Sequence, residues 1–188
     1  MKTPTTLSKF LLPLATVGSL TVAPLPAMAA VDMYLELDGI QGESVASKYA
    51  GAIDVLAWSN GLSNPASFQA GAGGGSGKAS FQDMSITKYL DSASPYLLLY
   101  TSTGQHIGSA TLTVRRGSET NPLYFKVELK NIIVTSVSSG GSGGEDRLTE
   151  NISLNFSEIR WTYYPIDARG NATTPITVGY NIAENKPL

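Results

Sequence analysis

From Leu123 onward the apolar residues of this chain fall at every second position, and that period constrains the fold more than any other feature. Leu123, Phe125, Val127 and Leu129 alternate with other residues, the phase slips at Asn131, and Ile132 and Val134 resume it. Ile152, Leu154 and Phe156 repeat the pattern, slip at Ser157-Glu158, and continue through Ile159, Trp161 and Tyr163. A period of two belongs to a β-strand with one buried face. A one-residue slip inside a long strand predicts a β-bulge, and bulges bend strands into barrels.

Shorter runs extend the pattern. Val31, Met33, Leu35 and Leu37 alternate with Asp32, Tyr34, Glu36 and Asp38. Ile53, Val55 and Ala57 precede Trp58, the run Lys78 to Ile86 puts Ala79 and Phe81 on one side, and Ala110, Leu112 and Val114 lead to Arg115 and Arg116. Ile176, Val178 and Tyr180 make a last strand. Between Thr87 and Tyr100 the pattern changes. Thr87-Lys88-Tyr89-Leu90 opens a helical stretch broken near Pro95, and Tyr96-Leu97-Leu98-Leu99 is too apolar for solvent, which predicts a short helix packed on the sheet. Several short strands and one helix predict a mainly β barrel or sandwich. No internal repeat or second domain is visible. The glycine-rich stretches 71–77 and 140–144 lie between strand candidates and are read as loops.

Residues 1–29 differ from the rest. Lys2 and Lys9 form a basic leader without an acid, Phe10 to Leu20 is apolar, and Ala27-Met28-Ala29 offers a small-x-small cleavage site. These are the parts of a secretory signal peptide, removed after Ala29 or Ala30. The apolar stretch is shorter than the roughly 20 residues that span a bilayer, and Pro13, Pro24 and Pro26 interrupt its flanks, so no membrane span remains after cleavage. The expected localisation is therefore periplasmic or secreted. Residues 30–188 form one domain, more acidic than the whole chain at formal charge −2 because the leader takes two lysines and no acid with it. Without a basic block, nucleic acid is not an expected partner. The chain has no cysteine, which excludes disulfides and thiolate metal sites.

Catalytic motifs fail on their surroundings. Gly140-Gly141-Ser142-Gly143-Gly144 matches Gly-x-Ser-x-Gly, but that elbow needs a following helix and a histidine base. A strand pattern follows instead, and the single histidine, His106, lies in a turn-like context. Gly77-Lys78 lacks the earlier glycine, the following Ser or Thr and the helix of a phosphate-binding loop. Asp32, Glu36 and Asp38 read as a solvated strand face, and Glu145-Asp146-Arg147 with Glu150 as a salt-bridge set within or between subunits. No catalytic, cofactor or metal constellation is expected.

Several segments resemble the Hcp family of type VI secretion tube proteins. They are Ala30-Val31-Asp32-Met33, Gly42-Glu43-Ser44, Ile53 to Ser59 with its Ala57-Trp58-Ser59, Gly71 through Gly77-Lys78, Ser85 to Asp91, Ala110 to Arg115, Val134 to Ser138, and Gly140 to Asn151 leading into Leu154-Asn155-Phe156. They follow family order over residues 30–182. The resemblance implies a β-barrel of two sheets with one flanking α-helix, closing into homohexameric rings that stack head to tail into a hollow tube. Effector proteins in the lumen, a contractile sheath and a tip spike are the implied partners. It further implies a ring-stacking loop over Asn60–Gly77, with Asn60, Asn64, Gly71, Gly73, Gly74, Gly75 and Gly77. It places Ser59 at a lumen position that holds cargo, and Glu145, Asp146 and Arg147 near subunit contacts. Two departures stand out: Asn60 replaces a frequent second tryptophan, and family members carry no leader. Either the chain is an exported relative forming rings or filaments outside an injection machine, or translation starts at Met28 and the protein is cytoplasmic before secretion.

Overall fold

The computed structural model describes residues 31–65, 77–117, 123–169 and 171–188; the leader therefore lies outside the described residues. The strands are β1 (Val31–Leu37), β2 (Ile53–Ser59), β3 (Leu62–Ser63), β4 (Ser80–Phe81) and β5 (Met84–Tyr89). Helix α1 (Ser94–Thr103) follows, then β6 (His106–Arg116), β7 (Leu123–Gly140), β8 (Thr149–Tyr163), β9 (Ile176–Asn181) and β10 (Lys186–Pro187). Eight of the strands form one sheet in the order β10-β9-β8-β5-β2-β1-β6-β7, and a β7–β8 pairing closes six of them into a barrel. β3 and β4 form a separate two-stranded hairpin stem.

Alternation fills the barrel. Leu35, Ile53, Met84, Ile86, Ile107, Leu112, Val127, Leu129, Ile132, Ile152, Leu154 and Ile159 are all at most 2% exposed and form one core. β8 changes partner along its length, pairing with β5 from Thr149 to Leu154 and with β9 from Glu158 to Tyr163. β7 stays beside it throughout, so these two long strands run through both walls of the barrel.

The phase slips are present, but their geometry differs from a bulge. The pairs Lys130↔Glu158 and Ile132↔Phe156 keep one register across both slips, so the two strands slip together. Asn131 takes a left-handed φ of 49°, and its amide donates to Ser157 Oγ at 2.9 Å. The register shift lies further on, between Val134 and Ser136.

The helix also begins later than the sequence pattern indicates. Thr87-Lys88-Tyr89 belongs to β5, and Pro95 opens α1 rather than breaking it, since an early helical residue needs no N–H donor. Gly104 closes the helix at φ 67°, its N–H bonded to Tyr100 O at 2.9 Å. Only Leu97 of the apolar run is buried; Tyr96, Leu98 and Leu99 are 55%, 49% and 53% exposed. β9 departs in the same way, because Ile176 and Val178 are each 60% exposed. The outer face of β1 is less solvated than its pattern suggests. Tyr34 stacks on Tyr49 at 4.3 Å, and Arg115, buried on β6, donates to Tyr49 Oη at 3.0 Å.

Candidate functional site

One wall of the barrel consists of β2, β5, the first half of β8 and the last part of β7. Its pairings align residues in rows across four strands. Trp58, Ile86, Ile152 and Val137 form an inward row. The rows on either side point outward: Ala57, Thr87, Asn151 and Ser138 in one, Ser59, Ser85, Ser153 and Ser136 in the other. Thr87 Oγ1 donates to Asn151 Oδ1 at 2.6 Å. Beyond these rows Asp83 accepts from Thr135 Oγ1 at 2.6 Å and from Asn155 Nδ2 at 2.7 Å. The rows themselves carry no charge and no large apolar group. Hydroxyls and amides stay hydrated and offer a polypeptide hydrogen bonds without an apolar patch to hold it. The off-phase residues of the strands, mostly Ser, Thr and Asn, were the available sequence signal for this surface.

Among the described residues, each flank of this wall runs on past its pairing with the neighbouring strand, and α1 packs against β7. β2 joins β1 through Tyr34↔Asp54 and Leu35↔Ile53, and among the described residues Val55–Ser59 has β5 as its strand partner. β7 pairs with β6 as far as Ile133, and beyond it β8 is its strand partner among the described residues. A strand edge past its pairing offers backbone donors and acceptors to another strand.

Ser59 stands exposed at the edge of the second row. Asn60 sits at the root of the following loop and donates from Nδ2 to Gln82 O at 3.1 Å. Asn64 and Gly77 line a cavity of about 460 Å³ shared with Phe81, Trp161 and Tyr180, whose rings stack at 5.5–6.5 Å. Gly77 lies so close to Pro65 that a Cβ there would meet its Cγ at 2.6 Å. Gly71, Gly73, Gly74 and Gly75 lie outside the described residues.

Glu145, Asp146 and Arg147 lie at the other end of β8. With Tyr89 and Thr149 they line a second cavity of about 460 Å³. Arg147 rests over the Tyr89 ring at 4.1 Å rather than on either acid. Glu145 accepts from Ser142 Oγ at 3.1 Å. Ser142 is thus bonded to a carboxylate and followed by strand β8, whereas His106 lies on β6 opposite Ile133. This is not the geometry of a nucleophile elbow. Among the described residues no group of three or more His, Asp or Glu is placed to hold a metal ion.

The sequence reading missed a buried ionic network beside α1. Lys88 and Glu150, both 0% exposed, pair at 2.7 Å, and Lys88 also reaches Asp91 Oδ1 at 2.7 Å and Tyr89 O at 2.8 Å. Ser94 Oγ donates to Glu150 Oε1 at 2.7 Å, and Ser139 Oγ to Oε2 at 3.1 Å. The network ties β5, α1, β7 and β8 together. Its one sequence signal was the Lys88–Asp91 spacing.

The family model for the type VI secretion system effector Hcp matches residues 34–163. The chain is also 46% identical over 158 residues to protein hcp1 of Pseudomonas aeruginosa, spanning 83% of this chain and 98% of that protein. The chain belongs to the Hcp family. Solved structures agree. One described as a type six secretion system protein matches with TM-score 0.80 at 30% identity, over 85% of this chain and 100% of its own. Hcp1 from Salmonella typhimurium matches with TM-score 0.70 at 34% identity, over 86% and 100%. This mainly β barrel with one helix is an Hcp family tube protein of type VI secretion.

Proposed function

We propose that this chain builds homohexameric rings whose lumen is lined by the β2-β5-β8-β7 wall, and that the stacked rings carry effector proteins. The supporting observation is the wall itself: two uncharged hydroxyl and amide rows, with Ser59 at their edge and on each flank a strand that runs on past its pairing with the neighbouring strand. Proteins of the Hcp family assemble into rings. Six copies joined at those edges would surround a channel that is polar yet weakly adhesive, as transport of varied cargo requires. The Asn60–Gly77 loop, including Gly71, Gly73, Gly74 and Gly75, would contact the next ring, and Glu145, Asp146 and Arg147 would lie at subunit contacts. Function rests on assembly and not on catalysis. Residues 1–29 direct export and are removed, so rings form in the periplasm or medium after secretion; an N-terminus at Ala30 or Val31 there, read by mass spectrometry, is the expected result. Because the chain has no cysteine, Ser59→Cys gives a unique thiol for a gold label. Micrographs should show the label inside the ring, whereas label on the outer perimeter contradicts the assignment.

A further inference from the structure

We propose that the cavity between the β3–β4 stem and β9 binds a pyranose sugar that carries a carboxylate. The site shares no residue with the rows around Ser59, and binding there needs no ring. β9 lies beyond the six strands that close the barrel, so the face it shares with the end of β8 runs on past the barrel core. Trp161 pairs with Val178 and Ile159 with Tyr180, which puts Trp161 and Tyr180 diagonally beside each other on that face. The stem reaches both through one ring. Phe81 stacks on Trp161 at 6.5 Å and on Tyr180 at 5.5 Å, with 17° and 24° between the planes. All three rings are half-buried and border the cavity of about 460 Å³. Small-molecule sites occupy roughly 300–1,000 Å³.

The rim of the cavity is polar and carries one sign of charge. Exposed Asn64, Lys78 and Asn185 stand there, and among the described lining residues Lys78 is the only charged one. Among the described residues, the side chains of Asn64 and Lys78 have no hydrogen-bond or ion-pair partner. Asn185 adopts a left-handed φ of 54°, a conformation that glycine takes without steric cost. An asparagine there instead keeps an amide on the rim. Its Oδ1 accepts from Tyr180 Oη at 3.0 Å, so its amino group is the end that donates to a ligand. The three rings pack on one another and leave no slot for a flat aromatic ligand between them. A fatty chain would leave the rim amides unanswered. A pyranose answers both parts: its C–H face lies against the aromatic border, and its hydroxyls bond to the amides of Asn64 and Asn185. Lys78 matches a carboxylate on that sugar through a charge-assisted bond.

The test is saturation-transfer NMR on the purified full chain with three probes. They are glucuronic acid, glucose, which lacks the carboxylate, and a hyaluronan tetrasaccharide, which carries glucuronate within a chain. Glucuronic acid should receive saturation at its ring C–H protons and bind more tightly than glucose. Lys78→Ala should weaken glucuronic acid about threefold, as expected of an exposed ion pair, and leave glucose unchanged. Asn185→Gly keeps the backbone and removes the amide, and should weaken both sugars about fivefold. Both positions are exposed, so each variant should keep the wild-type circular dichroism spectrum. Should Asn185→Gly fail to fold, Asn64→Ala on the same rim replaces it with the same expected loss. Tighter binding of the tetrasaccharide identifies a glycan chain as the ligand, and equal binding a free acidic sugar; both uphold the site. A protein that forms rings and binds none of the probes overturns the site alone. Transfer that Lys78→Ala and Asn185→Gly both leave unchanged overturns it too, and equal losses of the two monosaccharides in Lys78→Ala contradict the carboxylate.

Discussion

Glu145 and Glu150 are five residues apart, and nothing in their own chemistry separates them, yet they do opposite work. Glu150 is fully buried, paired with Lys88 and bonded by two serines from different elements. Glu145 is exposed and holds only the loop serine three residues before it. Lys88 and Arg147 differ in the same way, one fully buried against two carboxylates, the other spread over the outer face of Tyr89. Charge inside a barrel is costly unless every hydrogen-bonding position is answered. The inner set therefore joins helix to sheet, while the outer set remains available for partners.

Breaking the inner set should have the largest effect. Glu150→Ala leaves Lys88 buried with Asp91 as its one remaining carboxylate, and losing one partner of a buried pair costs about 3–5 kcal/mol; the urea unfolding midpoint at fixed protein concentration should fall accordingly. An unchanged midpoint would mean that the network contributes nothing to holding α1. The same contrast within the helix comes next. Leu97→Ala should destabilise by about 2–5 kcal/mol, whereas Leu98→Ala, half exposed in the single chain, should change monomer stability by no more than ~0.5 kcal/mol. Equal losses in the same assay would contradict the orientation of α1. Ser94→Ala removes a hydroxyl shared between Lys88 and Glu150 and should cost about 1.5–3 kcal/mol, typical of hydrogen bonds to charged groups. Arg147→Ala should be smallest, about 0.5–1 kcal/mol for an exposed cation on an aromatic ring. A loss from Arg147→Ala as large as that from Ser94→Ala would show that the outer set also supports the fold.

The same contrast explains what the sequence disclosed. The barrel was legible because Leu35, Ile53, Leu112, Leu129 and Leu154 alternate and are buried. Period reports which residues share a face, but not what covers that face. Ile176 and Val178 alternate as core strands do and yet lie 60% exposed, and Tyr96, Leu98 and Leu99 read as buried and are not. Lys88 was placed at the opening of a helical stretch, whereas it lies buried in β5, paired with Glu150 sixty-two positions away. The paired slips at Asn131 and Ser157 were visible as changes of phase, but their alignment across two strands is a tertiary fact. Ser59 was reached through family resemblance; the rows that surround it required the register.

The most direct test of ring assembly is electron microscopy of the purified protein at micromolar concentration. Six-fold rings with an open channel, some stacked end to end, are the predicted result. A population of single barrels, unchanged as concentration rises, would contradict it.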